Sequence, residues 1–348
     1  MEHSGRIVIA GGTGQLGRML ARHWAAAGHE VVVLSRQASA AAAVAAVPAA
    51  SGRGCVRTVA WDAGAAAAGG ALGAWAGELD GADVVVGLAG RSVDCRYSAA
   101  NRTAIVQSRV DSTRAVAAAI AAAARPPRVW LQASTATIYA HHTGGPDAPA
   151  HDEANGVLGG DEPGAPDTWR FSIDVARRWE AAATERPLPA TRTVLLRSAM
   201  VMSPDRGGVF DVLLRLTRFW LGGTCGDGRQ YVSWIHGDDF VRALEFCVAH
   251  AELAGPVNVA SPAPLPQAEV ARLLRRAWGT RVGLPATRWM LEVGAFFLRT
   301  ETELILKSRR VVPGRLLAAG FRFAHPDWAA AAVDLVARWR ATSLSGSV

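Results

Sequence analysis

Arg6-Ile-Val-Ile-Ala10 runs straight into Gly11-Gly-Thr-Gly14-Gln-Leu-Gly17, and the fold is decided at that junction. The first stretch is a β-branched run of buried-strand type, and from Gln15 to Ala27 the apolar residues Leu16, Leu20 and Trp24 recur at helical spacing. A strand, a glycine turn and a helix in immediate succession form the dinucleotide fingerprint. Its glycines permit the tight turn and a close approach of backbone to pyrophosphate. The helix N-terminus then offers unpaired N–H groups and a favourable dipole to the negative charge. Gly11, Thr13, Gly14, Gln15, Leu16 and Gly17 are therefore the candidate cofactor cradle.

Outward from this turn the pattern repeats. Glu30-Val-Val-Val-Leu34 is a second strand, Ala82 to Leu88 a fourth and Arg128 to Ala133 a fifth, with a helix over Asn101 to Ala124. Strands apolar throughout and alternating with helices require a parallel sheet covered on both faces. The fold class is α/β, a Rossmann-like doubly wound parallel sheet with a smaller, mostly helical C-terminal lobe. Residues 36–54 and 63–78 are Ala/Gly-rich and read as surface helix and loop. Residues 141–168 are dense in Gly, Pro, Asp and His and read as a long loop, a length that in a compact domain is usually functional or disordered. After it come a helix (Trp169 to Thr184), a strand (Arg192 to Arg197) and a helix (Phe210 to Leu221). The expected division is a cofactor domain over 1–200, loop included, and a substrate lobe over 201–348 with some strands returning to the main sheet.

The second strand ends in Ser35-Arg36, where an NAD site would place a carboxylate on the ribose hydroxyls. Arginine there suits a 2′-phosphate, so NADP(H) is the expected cofactor; the competing reading is a solvated arginine. Asp62, after the third strand, is placed to meet the adenine amino group. Leu88, Ala89 and Gly90 close the fourth strand with a small-residue turn that would let the backbone pass the cofactor ribose.

Composition narrows the class. The chain has 348 residues, half of them apolar and 19% charged, enough to bury a substantial core. Its formal charge is +7, yet the basic residues are scattered in ones and twos, so no nucleic-acid surface is expected. Lys307 is the single lysine among thirty-seven basic residues. Cys55, Cys95, Cys225 and Cys247 stand far apart without metal-ligand spacing, so neither metal nor disulfide framework is expected. No signal peptide is legible, and the most apolar stretch, Ala115 to Ala124, is far shorter than the roughly 20 residues of a membrane helix. A cytoplasmic protein with a small-molecule substrate and no membrane partner is expected, and homodimerisation is left open.

Several further stretches extend the picture: Ser108-Arg-Val-Asp-Ser-Thr-Arg114, Ser134 to Tyr139, Trp179-Glu-Ala-Ala-Ala183, Gly226 to His236 with Asp238 and Asp239, Gly255-Pro-Val-Asn258 and Val312 to Phe321. With the glycine turn they resemble the extended and atypical short-chain dehydrogenase/reductases. The nearer resemblance is to the nucleotide-sugar epimerase-like subgroup that carries a C-terminal domain of unknown function. That resemblance implies a Rossmann domain, a smaller substrate lobe, a Ser or Thr after the fifth strand and a Tyr four residues before a Lys on the next helix. Ser134 and Thr135 both fit the hydroxyl position. At the dyad positions stand Phe171 and Val175, so the usual Tyr-Lys pair is absent.

Tyr139 is the first substitute candidate, against the reading of a packed core tyrosine. His141 and His142, the loop carboxylates Asp152, Glu153, Asp161 and Glu162, and Asp174 are the other groups able to move a proton. The family's substrate-pyrophosphate arginine falls on Val232, and His236 with Asp239 reads as a tie between lobes. The expected function is an NADP(H)-binding, epimerase-like oxidoreductase acting on a small carbonyl or hydroxyl compound. The alternatives are a non-catalytic dinucleotide-binding regulator or scaffold and a non-redox isomerase or cyclase.

Overall fold

The structure is a computed structural model that describes residues 4–36, 54–67, 70–142, 145, 148–287, 290 and 303–345. Seven parallel strands form the main sheet: β1 (Arg6–Ala10), β2 (Glu30–Ser35), β3 (Cys55–Ala60), β4 (Val84–Gly87), β5 (Val129–Thr135), β6 (Arg192–Ser198) and β10 (Gly255–Val259). Their order is β10-β6-β5-β4-β1-β2-β3. The chain reverses its direction of travel across the sheet between β1 and β4, which is where a doubly wound fold opens its ligand crevice.

The alternation of side chains sorts the strands between two cores. Ile7, Ile9, Val31, Val33 and Leu131 face helices α1 (Gln15–Ala26) and α6 (Gly237–Ala249). Val8, Val32, Val85 and Trp130 face α3 (Ala99–Ala122) and the tryptophans Trp61 and Trp75. Each such side chain, fully removed from water, contributes about 1.5–3 kcal/mol.

The 63–78 stretch corrects the surface reading. It holds the short helix α2 (Ala63–Ala67) and a 3-10 turn from Ala74 to Leu79, in which Trp75 is 3% exposed and meets Trp61 edge to face at 5.3 Å. The α3 helix starts two residues earlier than its apolar spacing implies, because Ser98 accepts a hydrogen bond from Asn101 N and caps it. Helix α5 (Val209–Arg218) stops short of Leu221 because the chain turns there, with Trp220 in the left-handed region at φ 62°.

Two short pairings, β7 (Met200–Met202) with β9 (Trp234–His236) and β8 (Tyr231–Val232) with β11 (Leu265–Pro266), flank the main sheet. They adjoin a third core in which Phe210, Leu214, Trp234, Val270 and Trp328 join α5, α7 (Gln267–Trp278) and α10 (Trp328–Ser345). The short helices α8 (Glu303–Leu306) and α9 (Gly314–Ala318) complete the C-terminal part, and α9 returns against β10. Among the described residues no helix is long and apolar enough to cross a membrane.

Candidate active site

The glycine turn is built as the fingerprint requires. Gly11 has φ +83°, and a Cβ on it would lie 2.7 Å from the Ala89 backbone. A Cβ on Gly17 would lie 2.3 Å from Gly12 Cα, so α1 can approach β1 only through that glycine. Gly14 is different: its φ is −71°, and a Cβ there would meet only Gly11 O, at 3.7 Å. The open space before the first turn of α1 is where its unpaired N–H groups point. Thr13 O accepts from Arg18 Nη1 at 2.6 Å, and Leu16 packs on the core. The Gln15 Nε2 group is buried with no hydrogen-bond partner among the described residues.

Ser35 is buried at the end of β2, and Arg36 beside it is exposed. Asp62 Oδ1 accepts from Gly64 N and Ala65 N, so it caps α2. Leu88 N donates to Ala10 O at 2.8 Å, and Ala89 O accepts from Ser112 Oγ. Gly90 lies against Arg109. The turn, the β4 exit and Gln15 fit a dinucleotide along the strand ends.

A cavity of about 140 Å³ opens at the end of β5. Thr135 and Thr137 form one wall; Phe171, Ser172 and Val175 of α4 (Asp167–Thr184) form another. Both dyad positions therefore face this space with hydrocarbon. Tyr97, Arg109 and Glu303 complete the lining.

The two candidate hydroxyls part company. Thr135 lines the cavity, its Oγ1 accepting from Thr137 N at 3.1 Å. Ser134 Oγ donates to Glu180 Oε1 at 2.5 Å, a carboxylate already held by Arg197. Tyr139 is 1% exposed and does not line the cavity. Its hydroxyl donates to Asn258 Oδ1 at 2.9 Å and accepts from Arg197 Nη1 at 3.0 Å, and its ring stacks on His151. Burial pushes that phenol above its ordinary value.

The remaining loop groups hold the loop in place. His141 N donates to Glu162 Oε1 and its Nδ1 accepts from Ser308 N, while burial pushes the imidazole down. Asp152 caps a turn at Ala154 and Asn155, and Glu153 accepts from Asn258 N and Arg315 N. Asp161 pairs with Arg177 and Asp174 with Arg178. His141, His142 and Trp169 also line a larger groove of about 1080 Å³ with Asp227, Arg229 and Tyr231.

His236 and Asp239 tie the C-terminal helix region to α6. Asp239 is fully buried and accepts from Ala324 N and His325 N, while His236 Nε2 lies 3.1 Å from Asp334 Oδ2. His236, His325 and Asp334 bring their donor atoms within 4.8 Å of one another. Arg338 already spans Asp334 and Asp238, each at 2.8 Å, which gives the cluster an internal cation.

Three residues from the C-terminal segment reach the cavity wall. Lys307 Nζ donates to Thr137 O at 2.8 Å and is 1% exposed, and burial pulls it down to about 8. Arg309 Nε donates to Thr137 Oγ1 at 3.2 Å, and its Nη2 lies 3.5 Å from Glu303 Oε1. Ser172 Oγ donates to Glu303 Oε2. Sequence reasoning passed over Glu303, Arg309, Tyr97 and Ser172; the available signals were the rarity of tyrosine and lysine in this chain.

A sequence profile of the NAD dependent epimerase/dehydratase family matches residues 7–164, and one of a domain of unknown function, DUF1731, matches residues 286–335. Epimerase family protein SDR39U1 of Bos taurus is 30% identical over 337 residues, covering 95% of this chain and all of the relative. Epimerase family protein YfhF of Bacillus subtilis is 28% identical, covering 95% and 98%. The crystal structure of human epimerase family protein SDR39U1 with NADPH superposes with a TM-score of 0.76 at 28% identity, covering 95% of this chain and 99% of that one. A dTDP-glucose 4,6-dehydratase from Streptomyces venezuelae shares the fold, with a TM-score of 0.71 at 20% identity and 98% of each chain covered.

Proposed function

From the premise that the chain belongs to the NAD dependent epimerase/dehydratase family, we propose that it is an NADP(H)-binding oxidoreductase of epimerase-like type. Its substrate is a small carbonyl or hydroxyl compound. The observation that carries this reading is the cavity at the end of β5, lined by Thr135 and by both dyad positions, Phe171 and Val175. A space of about 140 Å³ suits a reacting group of a few heavy atoms.

Gly11, Gly14 and Gly17 cradle the pyrophosphate, with Leu88, Ala89 and Gly90 along the ribose. The exposed Arg36 pairs with the 2′-phosphate, which accords with the NADPH in the human relative's structure. When bound, the cofactor supplies or accepts the hydride. Thr135 Oγ1 orients the substrate oxygen, and the apolar faces of Phe171 and Val175 exclude water from it.

Calorimetric titration with NADP, NADPH, NAD and NADH tests the cofactor assignment, with Arg36→Ala in parallel. The expected result is a preference for the phosphorylated pair of tenfold or more that the variant loses, since one charge-assisted contact is worth about 1.5–3 kcal/mol. Binding of none of the four sinks the reading. The hydrocarbon at positions 171 and 175 also supports a second reading, a dinucleotide-dependent regulator; NADPH binding without turnover of any small carbonyl or alcohol would favour it.

A further inference from the structure

The proposed oxidoreductase reading leaves a chemical gap, because a phenyl ring at 171 and a valine at 175 can neither carry nor tune a proton. Resting on that reading, we propose that Tyr97, which lines the same cavity beside Phe171, supplies the missing phenol and passes its proton through Ser172 to Glu303. Glu303 falls within the C-terminal stretch matched as a domain of unknown function, which thereby acquires a part in the site.

The geometry is specific. Tyr97 sits in the segment between β4 and α3, fixed where Ser98 caps the helix and where Arg102 Nε donates to Tyr97 O at 3.0 Å. Its ring meets Phe171 edge to face, with centroids 4.9 Å apart and planes at 68°. The phenyl group at the family's tyrosine position is thus a platform for a phenol that comes from elsewhere. The Tyr97 hydroxyl lies 3.4 Å from Ser172 Oγ, which in turn donates to Glu303 Oε2. Phenol, hydroxyl and carboxylate form a chain along the cavity lining that ends at Glu303, which is 1% exposed.

The charges around this chain suit proton transfer along it. Arg109 from α3 and Arg309 from the C-terminal segment both act on Tyr97 as cations, and Arg309 also faces Glu303 at 3.5 Å. Lys307 lies on the same segment, and Arg102 stands over the far ring, with its guanidinium carbon 4.7 Å from the Phe171 centroid. Burial pulls Arg109 down to about 10 while its attraction to Tyr97 opposes the shift, and that attraction favours negative charge developing on the phenol. Two arginines thus take the electrostatic part that a lysine plays in the usual dyad. Tyr139 does not offer this arrangement, since its hydroxyl is held between Asn258 and Arg197 outside the cavity.

In the oxidative direction the substrate O–H proton passes to Tyr97 Oη as the Tyr97 proton moves to Ser172 Oγ and the Ser172 proton to the Glu303 carboxylate. The carbon-bound hydrogen leaves with its electron pair to the oxidised nicotinamide, the C=O bond forms, the alcohol is oxidised and the dinucleotide is reduced. Glu303 ends protonated and returns its proton to solvent or, in reverse, to the product oxygen.

The test uses the full chain, whose tyrosines number only three. Ultraviolet titration of the phenols identifies the Tyr97 transition as the one absent in Tyr97→Phe. Glu303→Gln removes a facing negative charge and moves that transition down by about one pH unit, while Arg109→Gln moves it up. An unmoved transition in Glu303→Gln overturns the relay. With a panel of small ketones, aldehydes and secondary alcohols as probes, Tyr97→Phe and Glu303→Gln lower kcat about a hundredfold or more. Calorimetric NADPH affinity stays within about twofold, which separates chemistry from folding or cofactor loss. Unchanged kcat in Tyr97→Phe overturns the proposal, and so does a wild-type protein that binds NADPH yet turns over none of the panel. Failure to bind NADPH strikes the cofactor reading instead, and the phenol titration still decides the relay.

Discussion

The Arg197 guanidinium grips the Glu180 carboxylate in parallel, Nε to Oε1 and Nη2 to Oε2, both at 2.8 Å. The side chains are 8% and 12% exposed, and the pair joins β6 to α4 just behind Ser134 and Tyr139. Burial works against the Arg197 charge, but the hydrogen bonds and attraction of Glu180 outweigh it and hold the guanidinium above its ordinary value. Removing one partner strands the other charge away from water, a loss of about 3–5 kcal/mol. Arg197→Met is therefore expected to lower the urea midpoint sharply. Ser134→Ala, which removes a single hydrogen bond to the same carboxylate, should cost only about 1–3 kcal/mol. Equal destabilisation by the two variants would show that Arg197 is not the keystone of this contact.

Gly14 and Gly11 separate binding from folding. Alanine at Gly11 must adopt φ +83° with its Cβ 2.7 Å from the Ala89 backbone, so Gly11→Ala is expected to destabilise the fold as well as abolish dinucleotide binding. At Gly14 the backbone is extended and the space is open. Gly14→Ala should keep its thermal midpoint within a few degrees while losing tenfold or more in NADPH affinity, because the added methyl fills the approach to the helix N-terminus. Calorimetry and a thermal melt decide it; undiminished affinity in Gly14→Ala would place the phosphates elsewhere.

Stability should fall on acidification before the carboxylates titrate. His29, His141, His142, His151 and His236 are all pushed below their ordinary value, in each case chiefly by burial. The unfolded chain takes up protons on these groups near 6.5 while the folded chain does not, so acid favours unfolding. His23 runs the other way: its hydrogen bond to Glu245 raises it, so its contribution is present below about 6.5 and is lost as pH rises through the folded value. That group is 43% exposed and solvent screens it. The urea midpoint is expected to drop between about pH 7.5 and about pH 5.5. A midpoint that climbs over this range would contradict the burial of these rings.

What the sequence revealed was what contiguity encodes. Strand, glycine turn and helix from Arg6 to Gly17 are adjacent in the chain, so residue type and spacing suffice to read them. The absence of the dyad was equally legible, because Phe171 and Val175 keep helical register with a recognisable motif. The relation between Ser172 and Glu303 was not, since 131 positions separate them and no local pattern marks a carboxylate that becomes buried only when the chain closes. Trp75 was hidden for a related reason: its neighbours are Ala and Gly, and it becomes core only against the sheet face, α3 and Trp61. Tyr139 could be placed beside the strand end from sequence, but the direction of its hydroxyl was set by Arg197 and Asn258 far downstream.

Lys307 offers a test of the C-terminal segment that needs no substrate. It is the chain's single lysine, so isotope-labelled lysine gives one side-chain resonance with nothing to confuse it. Burial, with Arg309 adding repulsion, pulls its ammonium down to about 8, while Glu303 and Glu162 oppose the shift. Its donor is committed to Thr137 O on the cavity wall. A titration midpoint near 8 by nuclear magnetic resonance would report that the segment from Glu303 to Arg309 packs against the end of β5 in solution. A midpoint close to the ordinary value of about 10.4 would mean that the ammonium stays in water and that Glu303 is not delivered to Ser172.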